Sequence, residues 1–394
     1  MRIAYFTDTY MPEINGVTNT LSRLEDYLQA HGIGYAIFAP AYDGNTVSAG
    51  GAGSGTAEGP YKTLHRFKGF TTRFSPESRL AFPSFREIDR ICDRYKPGLV
   101  HVITELGVGI RGMRYAVTRD IPLVMSYHTD YCRYLGYFGL EPLKPLLEKY
   151  LAWFYGFSCR TLVPSRHTLG ELFAKGYRNL GLWSRGIDTD RFNPACRSAE
   201  LRDSFGKGKF IFLYAGRLSP EKGLDMLLYA AEEIERRFPG KAAFVFTGSG
   251  PCEAIIRRGN LPNVFVTGFM RGDDLSRMYA SADCFAFPSG TETFGNAALE
   301  AMASGLPVAG VASGGVTDFL SHGHNALLCA MNDRKAYTEN LTAIMEDAAL
   351  RGHLAANART TALSRGWGRV FDGLINGYNM ALEEYQGRRW KAAS

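Results

Sequence analysis

Two glutamates eight residues apart, Glu292 and Glu300, lie in the string Thr291-Glu292-Thr293-Phe294-Gly295-Asn296-Ala297-Ala298-Leu299-Glu300. The string follows an apolar segment that ends in Pro288-Ser289-Gly290. Its second half reads as a helix from about Asn296 to Ala303. Glu292 then falls in a loop, and Glu300 at least one turn into the helix. Phe294, Gly295 and Asn296 would set unpaired backbone N–H groups at the positive end of the helix dipole, a good place for a phosphate. Gly295 has no Cβ to hold a ligand away from the backbone. Taken singly, Glu292 reads as a capping acid and Glu300 as an exposed helix face. The whole string reads as a binding site.

A second string, Ala215-Gly216-Arg217-Leu218-Ser219-Pro220-Glu221-Lys222-Gly223, comes straight after the apolar run Phe210–Ala215. Arg217 and Lys222 flank a proline turn, and a guanidinium fork with an ammonium suits a diphosphate. Alone they could equally be two solvated loop cations. Between the first apolar run and the first helix lies Thr9-Tyr10-Met11-Pro12-Glu13-Ile14-Asn15-Gly16-Val17-Thr18, where Gly16 could bring backbone amides to a phosphate or could simply turn the chain. His128, in Ser126-Tyr127-His128-Thr129-Asp130, can donate to a sugar hydroxyl or move a proton. The competing reading is a core histidine. A lone histidine beside one aspartate is a poor metal site. Asp188-Thr189-Asp190 has the look of a metal-binding pair but falls in an inter-domain linker, away from these strings. Gly248-Ser249-Gly250 invites a dinucleotide reading, yet Cys252 and Glu253 stand where the third glycine is needed.

The elements that would position these residues alternate apolar strands with amphipathic helices, which argues for α/β architecture with parallel sheets. Strands are expected at Arg2–Thr7, Tyr35–Ala39, Leu99–Ile103, Leu123–Tyr127 and Arg160–Pro164, with a helix over Asn19–His31. A second series is expected at Phe210–Ala215, Ala243–Thr247, Val264–Thr267, Cys284–Pro288 and Pro307–Val311. This rhythm gives two doubly wound domains facing a cleft, with ligands beyond the carboxyl ends of the strands. Residues 44–59 are Gly/Ser/Ala-rich and read as a mobile loop without the ending of a phosphate-binding P-loop. Over Arg369–Tyr385, Phe371, Leu374, Ile375, Tyr378 and Leu382 share one helical stripe, to be buried on either domain.

The chain has 394 residues, enough for two domains, and 45% of them are hydrophobic, which excludes a disordered or fibrous chain. No apolar run approaches the length of a spanning helix, and an acid at Asp8 comes too early for a signal peptide. Seven scattered cysteines without a C-x-x-C pair favour a reducing cytosol over a disulfide framework or zinc site. The net charge of +6 resides in residues 1–185, with 22 Lys/Arg against 16 Asp/Glu, and is densest over Lys62–Lys96. That half is expected to meet an anionic surface or substrate, unless the charge is merely a solvated face. Glu141–Phe157, EPLKPLLEKYLAWFYGF, adds an apolar-aromatic segment of the kind that anchors at interfaces, or simply core.

In combination, Glu292-x7-Glu300 with Phe294-Gly295 inside it, Gly216-Arg217-x4-Lys222-Gly223, the Asn15-Gly16-Val17 loop and Gly314-Gly315-Val316 resemble retaining nucleotide-sugar glycosyltransferases of family 4. The resemblance runs from Met1 to about Leu382. It implies the GT-B fold: two Rossmann-like domains, with a last helix crossing back to the N-terminal one. An acceptor domain would span residues 1–186 plus 372–394, and a nucleotide-sugar domain residues 187–371. It implies that Glu300 holds the ribose hydroxyls and that Glu292 contacts the donor sugar. Arg217, Lys222 and the amides of Phe294, Gly295 and Asn296 would hold the diphosphate, with Gly16 approaching from the other domain. His128 would sit beside the transferred sugar, and Phe269 would contact the base through its backbone. Leu182-Trp183-Ser184-Arg185-Gly186-Ile187-Asp188 departs from the commoner Asn-Gly-Val-Asp and, with Ser126–Thr129, is similar to a branch of lipid glycosyltransferases. Thr317 replaces a common proline, which leaves the loop at Gly314 less defined.

The implied reaction moves a hexose from a nucleotide diphosphate sugar, a UDP-sugar ahead of GDP-mannose, to a lipid or other hydroxyl with retention. No cofactor or metal is required. The expected partners are the donor, a lipid acceptor and an anionic membrane surface, with no nucleic acid, in a cytoplasmic enzyme peripheral to the inner membrane face. A nucleotide-sugar epimerase on the same fold and a non-catalytic nucleotide-sugar binder are the competing readings.

Overall fold

The computed structural model describes residues 1–13, 15–42, 54–58, 60–72, 75–132, 135 and 140–393; for 54–58, 72, 75–78 and 388–393 it describes the backbone alone. The chain divides into two units: Met1–Leu135 with Leu140–Ser184 and Gly368–Ser394, and Arg185–Trp367.

The first unit carries β1 (Arg2–Phe6), β2 (Gly34–Pro40), β3 (Ser54–Glu58), β4 (Lys62–Phe67), β5 (Gly69–Thr72), β6 (Ser75–Ala81), β7 (Leu99–Val102), β8 (Leu123–Ser126), β9 (Arg160–Val163) and β10 (Leu180–Leu182). Its main sheet has the order β10-β9-β8-β7-β1-β2-β4-β3. All pairs are parallel except β3 with β4. β5 and β6 form a separate antiparallel pair. The buried runs Ile3–Phe6 and Tyr35–Ala39 are apolar throughout, as a sheet covered on both faces demands. Its helices are α1 (Gly16–Ala30), α2 (Phe85–Tyr95), α3 (Gly107–Thr118), α4 (Lys144–Tyr155) and α5 (Arg166–Ala174).

The second unit carries β11 (Phe210–Ala215), β12 (Ala242–Thr247), β13 (Val264–Gly268), β14 (Cys284–Phe287), β15 (Val308–Val311) and β16 (Ala326–Cys329), all parallel, in the order β13-β12-β11-β14-β15-β16. Alternate residues feed two cores: Ile211, Leu213, Val245 and Phe285 pack on one face, Phe212, Tyr214, Phe244 and Phe246 on the other. Helices α6 (Ala199–Asp203), α7 (Leu224–Arg237), α8 (Glu253–Arg258), α9 (Gly272–Ser281), α10 (Asn296–Ala303), α11 (Arg334–Glu346) and α12 (Ala348–Leu363) cover it.

The last helix, α13 (Trp367–Ala393), belongs to the first unit from Gly368 onward, which settles where its stripe goes. Phe371, Leu374 and Tyr378 are buried, Ile375 and Leu382 partly so. Burying each large apolar side chain is worth about 1.5–3 kcal/mol. The Tyr378 hydroxyl lies 3.2 Å from that of Tyr5, and Tyr27 donates to Asp372 at 2.5 Å.

Three expectations need correction. Residues 44–59 are not one loop: Ser54–Glu58 is an edge strand held by backbone pairing to β4, and 44–53 with 59 lie outside the described residues. Helix α1 starts at Gly16, three residues before the expected Asn19, because Asn15 caps it. The Asn15 side chain accepts from the amides of Val17 and Thr18, and Thr18 returns the bond to the Asn15 amide. Arg66 is buried, donating to the carbonyls of Pro40 and Met11, so it adds nothing to a basic surface.

Candidate functional site

In the second sheet the chain winds outward from β11 to β13, then returns to β14 on the other side of β11 and winds away to β16. The crevice where strand order reverses, at the carboxyl ends of β11 and β14, is where ligands of such sheets bind. The two strings that stand out in the sequence leave those two strands. The loop after β11 extends the ladder: Gly216 donates to the Thr247 carbonyl and Leu218 to that of Ser249, both at 2.9 Å. Gly248 and Gly250 permit this approach. A Cβ on Gly248 would stand 1.9 Å from the Gly216 oxygen, and one on Gly250 2.3 Å from that of Leu218. The pair seats a neighbouring loop rather than a dinucleotide.

A 3-10 turn over Pro220–Lys222 then brings the two loops together. Lys222 Nζ donates to Glu292 Oε1 at 2.6 Å, and the Ser289 hydroxyl donates to the same oxygen at 3.0 Å. Thr291 donates to the Glu221 carbonyl at 3.2 Å. Burial pushes the Glu292 carboxyl up, but the Lys222 ammonium and the Ser289 hydroxyl outweigh it and hold the group below the usual range. Glu292 is therefore a carboxylate at neutral pH. Arg217 is exposed, and its carbonyl is fixed by the Tyr214 hydroxyl at 2.8 Å.

Gly295 caps α10 in the left-handed region, φ 100°, where glycine alone is unstrained, and it has no side chain to offer the first turn. The Phe294 ring is buried against Phe319, centroids 5.2 Å apart, which leaves its backbone for the site. Asn296 is half-buried. The loop with Thr317 in place of proline forms a 3-10 turn, Gly314–Asp318, and Gly315 donates to the Glu292 carbonyl at 2.7 Å. One turn into α10, Glu300 accepts from Tyr279 of α9 at 3.0 Å. Burial pushes its carboxyl up to about 7, although Tyr279 and Arg191 pull the other way. Phe269, just past β13, is 61% exposed.

The second unit thus brings Lys222 and Glu292 into contact, sets Arg217, Phe294, Gly295 and Phe269 on its loops, and carries Asn296 and Glu300 on α10. Gly16 and His128 lie in the first unit. Gly16 is the first residue of α1; His128 follows β8, half-buried, with its ring 5.5 Å from that of Trp183. Asp188 closes a turn by accepting from the Arg191 amide at 3.0 Å. Among the described residues no group of three or more His, Cys, Asp or Glu side chains could hold a metal ion.

Sequence reasoning missed Ser289 and Tyr279, the partners of the two glutamates. Ser289 lies inside the quoted string and could have been weighed. Tyr279 sits in the helical run Met278-Tyr279-Ala280 and carries no local signal. It also missed Glu105, buried at the end of β7, whose carboxylate takes the Tyr155 hydroxyl and whose carbonyl takes that of Tyr150. Burial pushes that carboxyl up to about 7 as well.

Residues 198–361 match the family model described as Glycosyl transferases group 1, and residues 14–191 that of Glycosyltransferase Family 4. The chain is 30% identical over 349 residues to a GDP-mannose-dependent alpha-mannosyltransferase of Corynebacterium glutamicum, covering 85% of this chain and 78% of the relative. It is 26% identical over 333 residues to an alpha-monoglucosyldiacylglycerol synthase of Streptococcus pneumoniae, covering 78% and 70%. Its fold is like that of a sucrose-phosphate synthase from Thermosynechococcus elongatus, with a TM-score of 0.73 at 19% identity over the whole of both chains.

Proposed function

The chain belongs to the family 4 glycosyltransferases, in their lipid-glycosyltransferase branch, and from that premise we propose that it moves a hexose from a nucleotide diphosphate sugar to a lipid hydroxyl with retention at the anomeric carbon. One observation carries the reading. The two loops at the reversal of the second sheet are joined by Lys222 and Glu292 at 2.6 Å, next to a helix N-terminus whose cap residue, Gly295, has no side chain to offer. Cleaving the sugar–phosphate bond leaves extra negative charge on the diphosphate and positive charge on the sugar. Lys222, Arg217 and the amides of Phe294–Asn296 stabilise the first, Glu292 meets the sugar, and Glu300 takes the ribose hydroxyls. Gly16 and His128 enter on the family resemblance. The acceptor hydroxyl attacks from the face the diphosphate leaves, and its proton passes to the departing phosphate oxygen.

The relatives' names direct the choice of substrates: GDP-mannose and a nucleotide-activated glucose as donors, diacylglycerol as acceptor. A panel of UDP-, GDP- and ADP-sugars in thermal-shift assays identifies the donor, since a ligand that binds only the folded protein stabilises it. Transfer is then followed by NMR of the product. Acceptor-dependent turnover with an unchanged anomeric configuration supports the reading. Isomerised donor without acceptor would make the protein an epimerase, and binding without turnover a non-catalytic binder.

We further propose that the first unit docks on anionic membranes. Over 141–157 the chain splits: Leu151, Phe154 and Tyr155 are core, whereas Leu143, Leu146, Trp153 and Phe157 are exposed. Arg86, Arg90 and Arg94 are exposed on α2. A basic side chain near an anionic leaflet is worth about 1 kcal/mol. Among the described residues no helix is long and apolar enough to cross a membrane. Flotation with anionic liposomes at low salt, weakened in Leu146→Glu/Trp153→Glu, supports docking; equal failure with anionic and neutral lipid removes it.

A further inference from the structure

Trp183 is 2% exposed and is the last residue but one of the first unit before the chain passes into the second at Arg185. Its amide donates to the Val163 carbonyl at 2.8 Å, which fixes its backbone to the end of β9. Its indole touches two imidazoles. One is His128, edge-on with centroids 5.5 Å apart; the other is His101 of β7, at 5.4 Å.

His101 is fully buried, and both of its nitrogens are engaged: Nδ1 lies 2.6 Å from the Tyr378 hydroxyl and Nε2 2.6 Å from Ser126 Oγ. Burial pushes this imidazole down to about 3, so it is neutral and holds one proton between two partners. Tyr378 lies on α13, the helix that brings the chain back into the first unit at Gly368. The outgoing segment, through Trp183, and the returning one, through Tyr378, therefore meet at His101. The cluster reaches the segment that carries His128 at two places, at Ser126, two residues before it, and at the His128 ring itself.

We propose that Trp183 is a positioning residue for His128: its indole face sets the orientation of the imidazole, and the hydrogen-bonded pair His101–Tyr378 holds that indole in place. The functional part of this inference rests on the role given to His128 under Proposed function; the packing part does not. An edge-on ring contact adds attraction beyond the area it buries, enough to select one rotamer of a half-buried imidazole. A displacement of about 1 Å in a reacting group can cost a hundredfold in rate.

Two readouts test it. In protein labelled with 13C-histidine, the His128 signal is assigned by its loss in His128→Ala. It should shift in Trp183→Leu, shift less in Trp183→Phe, and shift in Tyr378→Phe, which removes one hydroxyl and serves should Trp183→Leu not fold. In transfer assays, Trp183→Leu should lower kcat by about 10- to 100-fold with the donor KM within about threefold, and Trp183→Phe should recover most of the loss. In a His128→Ala background the Trp183→Leu step should change kcat by less than about twofold, because the two residues act through one contact. An unmoved His128 signal in both Trp183→Leu and Tyr378→Phe overturns the proposal, as does an equal loss of kcat in both backgrounds. Should His128→Ala keep full activity, the catalytic role of His128 falls, and the histidine signal alone then decides whether Trp183 sets its orientation.

Discussion

Each unit has a point where its strand order reverses, β1/β7 in the first and β11/β14 in the second, and at each a helix begins just beyond a strand end. The two ends are finished in opposite ways. At the start of α3 the protein supplies its own acceptor: Asp8 Oδ1 accepts from the Val108 amide at 2.7 Å, and Oδ2 accepts from the Thr104 hydroxyl at 2.7 Å, while burial pushes this carboxyl up against the pull of those bonds. Asp8 comes from β1's end, so a long-range carboxyl group caps a helix whose own cap residue, Leu106, cannot. At the start of α10 the cap residue is Gly295, which has no side chain to cap with, while Lys222 and Arg217 stand on the neighbouring loop. The same electrostatic opportunity is taken by Asp8 in one unit and, on the proposed reading, by the donor's diphosphate in the other.

The largest effect is expected from removing the cations beside α10. Lys222→Ala and Arg217→Ala should each lower kcat by about a hundredfold or more while the melting temperature stays close to that of the parent, since one positioned electrostatic donor is worth that much. Near-normal rates in both variants would break the assignment.

The start of α3 makes the converse prediction. Asp8→Ala should cost about 1–3 kcal/mol of stability, because it leaves the Val108 amide and the Thr104 hydroxyl without their buried acceptor. Its donor affinity, in an isothermal titration, should stay within about twofold. A tenfold loss of donor affinity in a still-folded Asp8→Ala would show that both helix ends serve the ligand.

The comparison also marks what the sequence could reveal. The second unit was legible because its site is local: Gly216–Gly223 and Thr291–Glu300 each hold their chemistry within ten residues, directly after a strand with an apolar run. Strand β4, with His65 and Arg66 inside it, and β10, only three residues long, lack such a run. β16, Ala-Leu-Leu-Cys, has no β-branched residue. Asp8 with Thr104, Glu300 with Tyr279, and Trp183 with His128 were not legible at all. Their separations are set by sheet order, and nothing in the chain near either partner announces the other.

A smaller effect separates two buried acids that titrate alike. Glu300 and Glu105 are both pushed up to about 7 by burial, with hydrogen bonds opposing. In each case the folded protein keeps a proton that the unfolded chain gives up near 4.5, so stability is greatest at low pH and falls as pH rises from about 4.5 through about 7. On the proposed reading only Glu300 receives ribose hydroxyls, and it does so as a carboxylate. Donor binding near pH 6.5 should therefore release up to about one proton, measured from the buffer dependence of the calorimetric heat. Affinity should rise by about tenfold from pH 6 to 8. Glu300→Gln should abolish both effects and weaken binding; Glu105→Gln should leave the proton release in place. Release that persists in Glu300→Gln would move the titrating group elsewhere.

The smallest effect expected is none. A divalent cation serves a diphosphate leaving group by neutralising charge that accumulates as the bond breaks. On the proposed reading that work falls, at the start of α10, to Lys222, Arg217 and the backbone amides. Glu292 balances Lys222 in the free protein, and its Ser289 hydrogen bond gives the carboxylate a second partner when Lys222 turns to phosphate. Asp188, in the one sequence pattern that resembles a metal-binding pair, is spent on the Arg191 amide. Activity should thus be unchanged by chelator and unchanged by added magnesium or manganese, with the residual rate of Lys222→Ala equally indifferent. Loss of activity with chelator and its return with either ion would contradict the charge argument and turn attention to Asp188 and Asp190. Rescue confined to Lys222→Ala would sharpen it instead, by showing that an ion can take the place of the one ammonium removed.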